Sequence, residues 1–323
     1  MIAVIGEALI DLVAGSDGRF AARPGGAGFN TARAIARLGV TPAFLDRLSA
    51  DGFGRLLRST LDGDGVTLAV AEPARLPTTL ALVDVDGAGV PRYRFYLDGT
   101  SAPALEYPDL ARAVPAGVTA LHAGGLALAA EPIATSIDRL IAAGLPSGTL
   151  LMIDPNCRPE AIGDRQAYLA RLSRMLCRAD VVKVSVEDLD YLAPGTPAPD
   201  AAAALLGQGP ALVLLTDGPH PARAFLRGGV VSADVPPVTV ADTVGAGDAF
   251  GGAFLAWWSR GRLTRSDLGQ SALVCGALQA AAEVAALTCT RVGAEPPWLA
   301  EVHDRPGWRQ ILAAPAADPG PGT

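Results

Sequence analysis

The chain has 323 residues, of which 50% are hydrophobic and 18% are charged, and its formal net charge is −7. This length supports one large buried core, and the acidic balance argues against a nucleic-acid partner, whose phosphates need a basic protein face. The N-terminus lacks the features of a signal peptide, and we expect no apolar run of membrane-spanning length. These features predict a cytoplasmic protein with no membrane partner.

The cysteines and the lysine narrow the chemistry further. Cys157, Cys177, Cys275 and Cys289 show no metal-ligand spacing, so we expect small buried residues in a reducing compartment. Lys183 is the only lysine and lies outside any glycine-rich loop. A Walker-type phosphate loop requires a lysine within such a loop, so this class of nucleotide-binding protein is excluded.

Short apolar runs alternate with segments of helical composition along the chain. The predicted strands are 2–5, 43–45, 120–122, 150–153, 181–184 and 212–215. The predicted helices are 31–38, 133–143, 165–177 and 200–206. This alternation predicts a mostly parallel sheet with helices on both faces, in which ligands gather at the carboxyl ends of the strands.

Residues 76–97 interrupt this alternation. Two runs of alternating polarity, 79–84 and 92–96, flank a glycine-containing turn at 86–89, which predicts a β-hairpin. Such a hairpin is either a lid over an active site or decoration of a sheet edge. Beyond residue 312, a proline-rich segment predicts a disordered tail.

The most informative segment is 242–250, a glycine-rich turn that leads into a helix. Its backbone N–H groups at Gly245, Ala246 and Gly247 would form an anion hole at the positive end of the helix dipole. A carboxylate at Asp248 would repel a bound phosphate, but it suits a base that takes a proton from an attacking hydroxyl. The alternative is that Asp248 only caps the helix.

Polar groups also follow other predicted strands. Asp11 follows the first strand, where it is either a ligand for a polar substrate or a solvated loop residue. A glycine loop that includes Gly26 leads into a helix with Asn30, whose amide suits sugar hydroxyls unless the helix is merely capped. Arg158 closes a polar run after the strand at 150–153, where it neutralises phosphate or forms an internal ion pair.

Two further pairs lie near predicted strand ends. Ser185 and Asp188 have the spacing of a capping box at a helix start. Thr216 and Gly218 follow the last predicted strand, where a hydroxyl and a glycine suit contact with a nucleotide. Each pair by itself is also consistent with an ordinary turn.

In this order, these segments resemble the ribokinase-like (PfkB) sugar kinases. The similarity runs from residue 2 to about residue 297 and is most specific at 25–39 and 242–250. It implies an α/β protein with a three-layer α/β/α ribokinase-like fold, a mostly parallel central sheet and a small β lid. The implied kinase domain spans residues 1–312, with a lid from about 11–24 and 76–99, and the tail is 313–323.

The resemblance also implies individual roles. Asp248 would be the catalytic base, and the anion hole of Gly245, Ala246 and Gly247 would hold the transferring phosphoryl group. The implied sugar-binding residues are Asp11, Gly26, Asn30 and Arg158, and the implied ATP-binding residues are Ser185, Thr216 and Gly218. Asp188 stands where the family usually has a glutamate that organises Mg²⁺ through water. Asp242 resembles a ligand of a monovalent cation such as K⁺, although Pro297 replaces the serine of ribokinases nearby.

The implied reaction is transfer of the γ-phosphoryl group of Mg-ATP to a hydroxymethyl group of a monosaccharide. The segment 92–102 is closest to the fructokinase branch, so fructose is the expected substrate. A 2-keto-3-deoxygluconate kinase, a ribokinase and a non-catalytic sugar- or nucleotide-binding regulator stay open as alternatives. The family also implies a homodimer formed through the β lid.

Overall fold

The computed structural model of the protein describes residues 1–15, 17–85 and 91–313. Its main element is a nine-stranded sheet covered by helices on both faces, and a separate four-stranded sheet adjoins it. This arrangement confirms the α/β class and the mostly parallel central sheet that the sequence predicts.

The large sheet contains every strand predicted from the apolar runs, with bounds that differ by at most two residues. Its strands, in spatial order, are β13 (Gly229–Ala233), β12 (His220–Leu226), β11 (Leu212–Asp217), β10 (Val181–Ser185), β9 (Leu150–Asp154), β8 (Ala120–Gly124), β1 (Ile2–Ile5), β4 (Pro42–Phe44) and β5 (Thr67–Leu68). In this spatial order, the seven strands from β11 to β5 are parallel, and β12 and β13 extend one edge in antiparallel fashion.

Helices cover the two faces of this sheet in two groups, each packed on its own hydrophobic cluster. On one face lie α1 (Ala27–Arg37), α2 (Gly52–Asp64), α8 (Ala246–Arg260), α9 (Ser271–Thr288), α10 (Leu299–Val302) and α11 (Pro306–Ala313). On the other face lie α3 (Tyr107–Ala113), α4 (Ile133–Ala143), α5 (Arg165–Leu176), α6 (Val186–Leu192) and α7 (Ala198–Leu206). Successive residues of the buried strands alternate between the two clusters because side chains of a strand point to opposite faces.

The small sheet has the order β3-β2-β6-β7. Its strands are β2 (Leu9–Ala14), β3 (Phe20–Gly25), β6 (Leu80–Val85) and β7 (Pro91–Tyr96). Strands β6 and β7 pair in antiparallel fashion as the predicted hairpin, whose turn at 86–89 lies outside the described residues. Because β2 pairs in parallel with β6, the segment that follows β1 belongs to the same small sheet as the hairpin.

The helix α9 contradicts the expectation that no apolar run reaches membrane-spanning length. Its 18 residues have a mean hydropathy of 1.4, so it is long and apolar enough by length and composition, the only such helix within the described ranges. However, 56% of it is buried within the fold, where it packs against α8, β12 and β13. A buried core helix passes the same test, so this helix is weak evidence for a membrane span.

Two smaller expectations also change. Only Cys157 is buried, whereas Cys177 is exposed and Cys275 and Cys289 are half-buried. Cys177 and Cys289 are the C-caps of α5 and α9, where the chain leaves a helix near the surface, so burial was the wrong expectation for them. Residue 313 belongs to α11 rather than to the predicted tail, and residues 314–323 lie outside the described part of the chain.

Candidate active site

A cavity of about 880 Å³ opens at the carboxyl ends of the parallel strands and extends to the small sheet. It brings together almost all of the site residues predicted from the sequence. Those that line it are Asp11, Gly26, Asn30, Arg158, Ser185, Asp188, Thr216, Gly218, Gly245, Ala246, Gly247 and Asp248. Asp242 is the exception and lies just outside this lining.

Asp248 lies in the first turn of α8, but it does not cap the helix. The N-cap is Gly245, whose φ of 77° is the left-handed conformation that favours glycine. The Asp248 carboxylate instead accepts hydrogen bonds from Asn30 Nδ2 at 2.8 Å and from Asn156 Nδ2 at 3.0 Å. Two amides from distant segments therefore orient this carboxylate, and the capping alternative is wrong.

The turn before Asp248 presents backbone donors to the cavity. The N–H groups of Gly245 and Gly247 have no hydrogen-bond acceptor within the described residues, whereas that of Ala246 donates to Thr243 O at 3.3 Å. A Cβ at position 245 would lie 2.4 Å from Ala294 Cβ, so only glycine fits this turn. Donors without partners at a helix N-terminus are suited to bind an anion.

The charges around this turn influence one another. Burial raises the pKa of Asp248, while the hydrogen bond from Asn30 and the positive charges of Lys183 and Arg158 oppose that rise. Burial, together with the charge of Asp248, raises the pKa of Asp11 to about 6. A carboxylate with a raised pKa is a stronger proton acceptor than one in water, as a general base requires.

Three of the groups predicted to hold a sugar, Asp11, Gly26 and Asn30, lie on the segment from β2 to α1. A Cβ at Gly25 would lie 2.3 Å from Asp11 Oδ2, so the missing side chain there makes room for this carboxylate. Gly26 has a φ of 109°, and a Cβ there would lie 2.3 Å from Glu7 O. The Asn30 Oδ1 atom is buried and has no hydrogen-bond donor among the described residues. This acceptor suits a hydroxyl of a bound ligand.

Asp188 and Ser185 form the capping box that their spacing predicts. Ser185 Oγ accepts from Asp188 N at 3.1 Å, and Asp188 Oδ2 accepts from Ser185 N at 2.8 Å. The other Asp188 oxygen accepts from Cys157 N at 2.6 Å. The capping interpretation therefore holds, and the same two residues also line the cavity.

Thr216 and Gly218, which are predicted to bind ATP, and Arg158 make few contacts with other side chains. Gly218 adopts a φ of 52°, and Thr216 Oγ1 donates to Val184 O at 3.5 Å. The Arg158 guanidinium donates to Asn156 O and Cys157 O, and it forms no ion pair within the part of the chain that the structure describes. Its charge is therefore available to a ligand in the cavity.

The residues fit a metal ion that arrives with a ligand rather than one held by the protein alone. Across the described ranges, no group of three or more His, Cys, Asp or Glu side chains is arranged to hold a metal. Mg²⁺ commonly keeps waters and contacts phosphates together with one or two carboxylates, which Asp188 at the cavity wall can provide through water. Asp242 accepts from Val244 N at 3.1 Å and from Gly293 N at 2.8 Å, and thus joins two loops beside the anion hole.

Sequence reasoning missed two residues of this site. The polar run after the strand at 150–153 contains Asn156 but predicts no role for it, and Lys183 is used only to exclude a phosphate loop. Asn156 has a φ of 41°, an uncommon conformation for a residue other than glycine, and its amide bonds Asp248. The density of polar residues after β9 was the available signal for Asn156, whereas the isolated Lys183 gave none.

This geometry defines a class of protein. A buried carboxylate beside free N–H donors at a helix N-terminus, next to groups that suit hydroxyls, is an arrangement for phosphoryl transfer to an alcohol. The sequence model of the family described as pfkB family carbohydrate kinase matches residues 1–300. The chain belongs to this family of carbohydrate kinases.

Individual relatives agree with this assignment. The chain is 36% identical over 264 residues to a fructokinase of Rhizobium leguminosarum bv. trifolii, covering 79% of each protein. A crystal structure of Xylella fastidiosa fructokinase with bound ATP is similar with a TM-score of 0.84 and 29% identity, over 93% of this chain and 96% of that one. Fructokinase from Vibrio cholerae O395 with fructose, ADP and calcium ion has a TM-score of 0.79 and 29% identity, over 91% and 94%. A double mutant of that enzyme was solved with fructose, ADP and potassium ion.

Proposed function

We propose that this protein transfers the γ-phosphoryl group of ATP to a hydroxymethyl group of a monosaccharide, with fructose as its substrate. The observation that carries the proposal is the Asp248 carboxylate, oriented by Asn30 and Asn156 beside the free N–H groups of Gly245 and Gly247. The fructokinases to which the chain is similar support fructose as the sugar.

In this mechanism, the protein lowers the barrier mainly by positioning the reactants and by electrostatic stabilisation of the transition state. Asp11, Gly26 and Asn30 hold the sugar so that one hydroxyl faces Asp248. This carboxylate accepts the hydroxyl proton as the new O–P bond forms, while the bond from the γ-phosphorus to the bridging oxygen breaks and releases ADP. The anion hole stabilises charge on the transferring phosphoryl group. Neither step requires a covalent intermediate with the protein.

The proposed reaction also involves a divalent ion and a monovalent cation. Asp188 would hold, through water, a divalent ion bound with the nucleotide, Mg²⁺ in our proposal, and such an ion would supply positive charge at the phosphates. A monovalent cation such as K⁺ near Asp242 would stabilise the two loops that this carboxylate joins. A cytoplasmic location with access to ATP belongs to the same proposal.

An ADP-release assay with Mg-ATP and a panel of acceptors tests this function. The panel contains fructose, 2-keto-3-deoxygluconate, ribose, tagatose and adenosine, and we expect the highest kcat/KM with fructose. A preference for 2-keto-3-deoxygluconate would instead assign Arg158 to a substrate carboxylate and overturn fructose as substrate. Failure with every acceptor, while nucleotide or sugar still binds, would identify a non-catalytic regulator.

We also propose that two copies associate through the small sheet. Register places Phe20 opposite Ala14 and Tyr96 opposite Leu80. Both lie on the face opposite to that of Asp11, Tyr93 and Phe95, which line the cavity. Phe20 is 56% exposed and Tyr96 is 49% exposed, which is unusual for large apolar residues that share one face of a sheet. Light scattering should give a dimer mass, and Phe20→Glu should give a monomer. A monomeric wild-type protein at micromolar concentration would contradict the proposal.

A further inference from the structure

Lys183 occupies an unusual position beneath the anion hole. Its side chain is 4% exposed, and its Nζ atom lies 2.9 Å from Asp154 Oδ2. The same atom lies 2.9 Å from the point that a Cβ at Gly247 would occupy. The ammonium group therefore rests against the middle of the turn, and the missing side chain of Gly247 allows this approach.

Burial of the ammonium group lowers the pKa of Lys183, but the carboxylates of Asp154, Asp188 and Asp248 raise it by more, so the side chain stays charged beside the turn. A helix N-terminus carries positive potential, so α8 repels a nearby cation. Among the described residues, Asp154 is the one that forms an ion pair with the ammonium group, and the described hydrogen bonds use only one of the three donors of that group. A buried cation at the positive end of a helix strengthens the attraction of that site for anions.

We propose that Lys183 is a positioning residue for phosphoryl transfer, whose ammonium supports the Gly245–Gly247 turn and adds a fixed positive charge to the anion hole. The inference rests on the kinase activity proposed above. Lys183 also differs from the lysine of a Walker-type loop, because it projects from strand β10 beneath the turn rather than from the phosphate-binding loop itself.

The second effect of Lys183 is on Asp248. The charged groups that act on this carboxylate are Lys183 from β10, Arg158 from the loop after β9, and the carboxyls Glu7, Asp11 and Asp154. Lys183 and Arg158 lower the pKa of Asp248, against the larger effect of burial. Asp154 and Asp248 repel each other, so the two members of the Lys183–Asp154 pair shift the pKa of Asp248 in opposite directions.

Variants of the two partners give the test. Lys183→Met should lower kcat by about 10- to 100-fold, and Lys183→Arg should restore part of it. Lys183→Met should also weaken binding of ADP with aluminium fluoride, a mimic of the transferring phosphoryl group, by at least about 10-fold, whereas ADP alone should bind within about 2-fold of wild type. The mimic is measured by calorimetry, so this readout does not depend on turnover.

The pH profile of kcat/KM separates this role from a structural one. The acid limb should move to higher pH in Lys183→Met and to lower pH in Asp154→Asn. Unchanged binding of the mimic in Lys183→Met, or acid limbs that move in the same direction, would overturn the proposal. If Lys183→Met does not fold, Asp154→Asn still tests the shift of the acid limb, and Lys183→Arg still tests kcat and the binding of the mimic. An inactive wild-type protein would refute the proposed function instead, and the mimic would still report on Lys183.

Discussion

Asn30 and Asp248 are 218 positions apart in the chain, yet a hydrogen bond of 2.8 Å joins their side chains. Asn30 belongs to α1 and Asp248 to α8, and these helices pack closely because Gly252 lacks a side chain. A Cβ at Gly252 would lie 2.9 Å from both Ala34 Cβ and Thr31 O. The packing of two helices therefore sets the position of the proposed base relative to the proposed sugar site.

The first prediction concerns this base. Asp248→Asn preserves the size of the side chain but removes its ability to accept a proton, so kcat should fall by about 10²- to 10⁴-fold. The KM for ATP should change little, because the variant leaves the N–H groups of the anion hole in place. Steady-state kinetics with a good acceptor sugar measure both quantities. Normal turnover by this variant would show that another group is the base.

The second prediction concerns the N-cap of α8. Gly245→Ala should lower both stability and kcat, because the new methyl group meets Ala294 and the left-handed backbone penalises a side chain by about 1–2 kcal/mol. Gly148→Ala is the matched control, since Gly148 has a φ of 82° but no atom within 4 Å of the added Cβ. It should show the backbone cost without the loss of kcat. Equal kcat in the two variants would argue against a role for the turn.

The third prediction concerns a buried ion-pair network behind the same turn. Arg33 is 2% exposed and bonds Asp64 at 2.6 Å, Glu295 at 3.0 Å and the carbonyl of Ala294 at 2.8 Å. Arg33→Met would leave buried acceptors without this partner, so the free energy of unfolding should fall by about 3–5 kcal/mol.

Urea denaturation measures this loss, and Arg174→Met is its control. In the pair of Arg174 with Asp138, the arginine side chain is 59% exposed and the partner is half-buried, so this control should cost no more than about 1 kcal/mol. Because Arg33 holds Ala294, which packs on Gly245, its variant should also lower kcat more than the control does. Equal losses of stability in both variants would contradict the prediction.

The fourth prediction concerns Glu7, whose pKa burial raises from 4.5 to about 7. A carboxyl with a folded pKa above its unfolded value contributes stability that is complete below pH 4.5 and is lost as pH rises through 7. Glu7→Gln removes this titration, so its stability relative to wild type should increase from pH 4.5 to pH 8 by up to about 3 kcal/mol.

Urea denaturation of Glu7→Gln and wild type at pH 4.5 and pH 8 measures this difference in stability. Asp51→Asn is a useful control, because hydrogen bonds from Thr78 and Gly54 outweigh burial and lower the pKa of Asp51 to about 2. The folded and unfolded pKa values of Asp51 therefore both lie below this range, and the cost of the substitution should be nearly the same at pH 4.5 and pH 8. A constant difference between Glu7→Gln and wild type would show that Glu7 does not titrate as proposed.

Much of the fold follows from local pattern. The six predicted strands lie in the large sheet, and the helix predicted at 133–143 has the bounds Ile133–Ala143 in the structure. The turn at Gly245 was also recognisable, because a glycine-rich segment before an apolar helix has few other conformations. Cysteine burial was harder to predict, since it depends on where each helix ends at the surface.

By itself, the sequence determined the alternation of strands and helices, the glycine turn before α8 and the family. These depend on residues close together in the chain, whose apolar period and backbone freedom are local properties. Only the tertiary structure decided that Asn30 and Asn156 orient Asp248, and that Lys183 lies beneath Gly247. Such contacts arise where strand ends and helix starts from distant segments meet, and no local pattern encodes their distances.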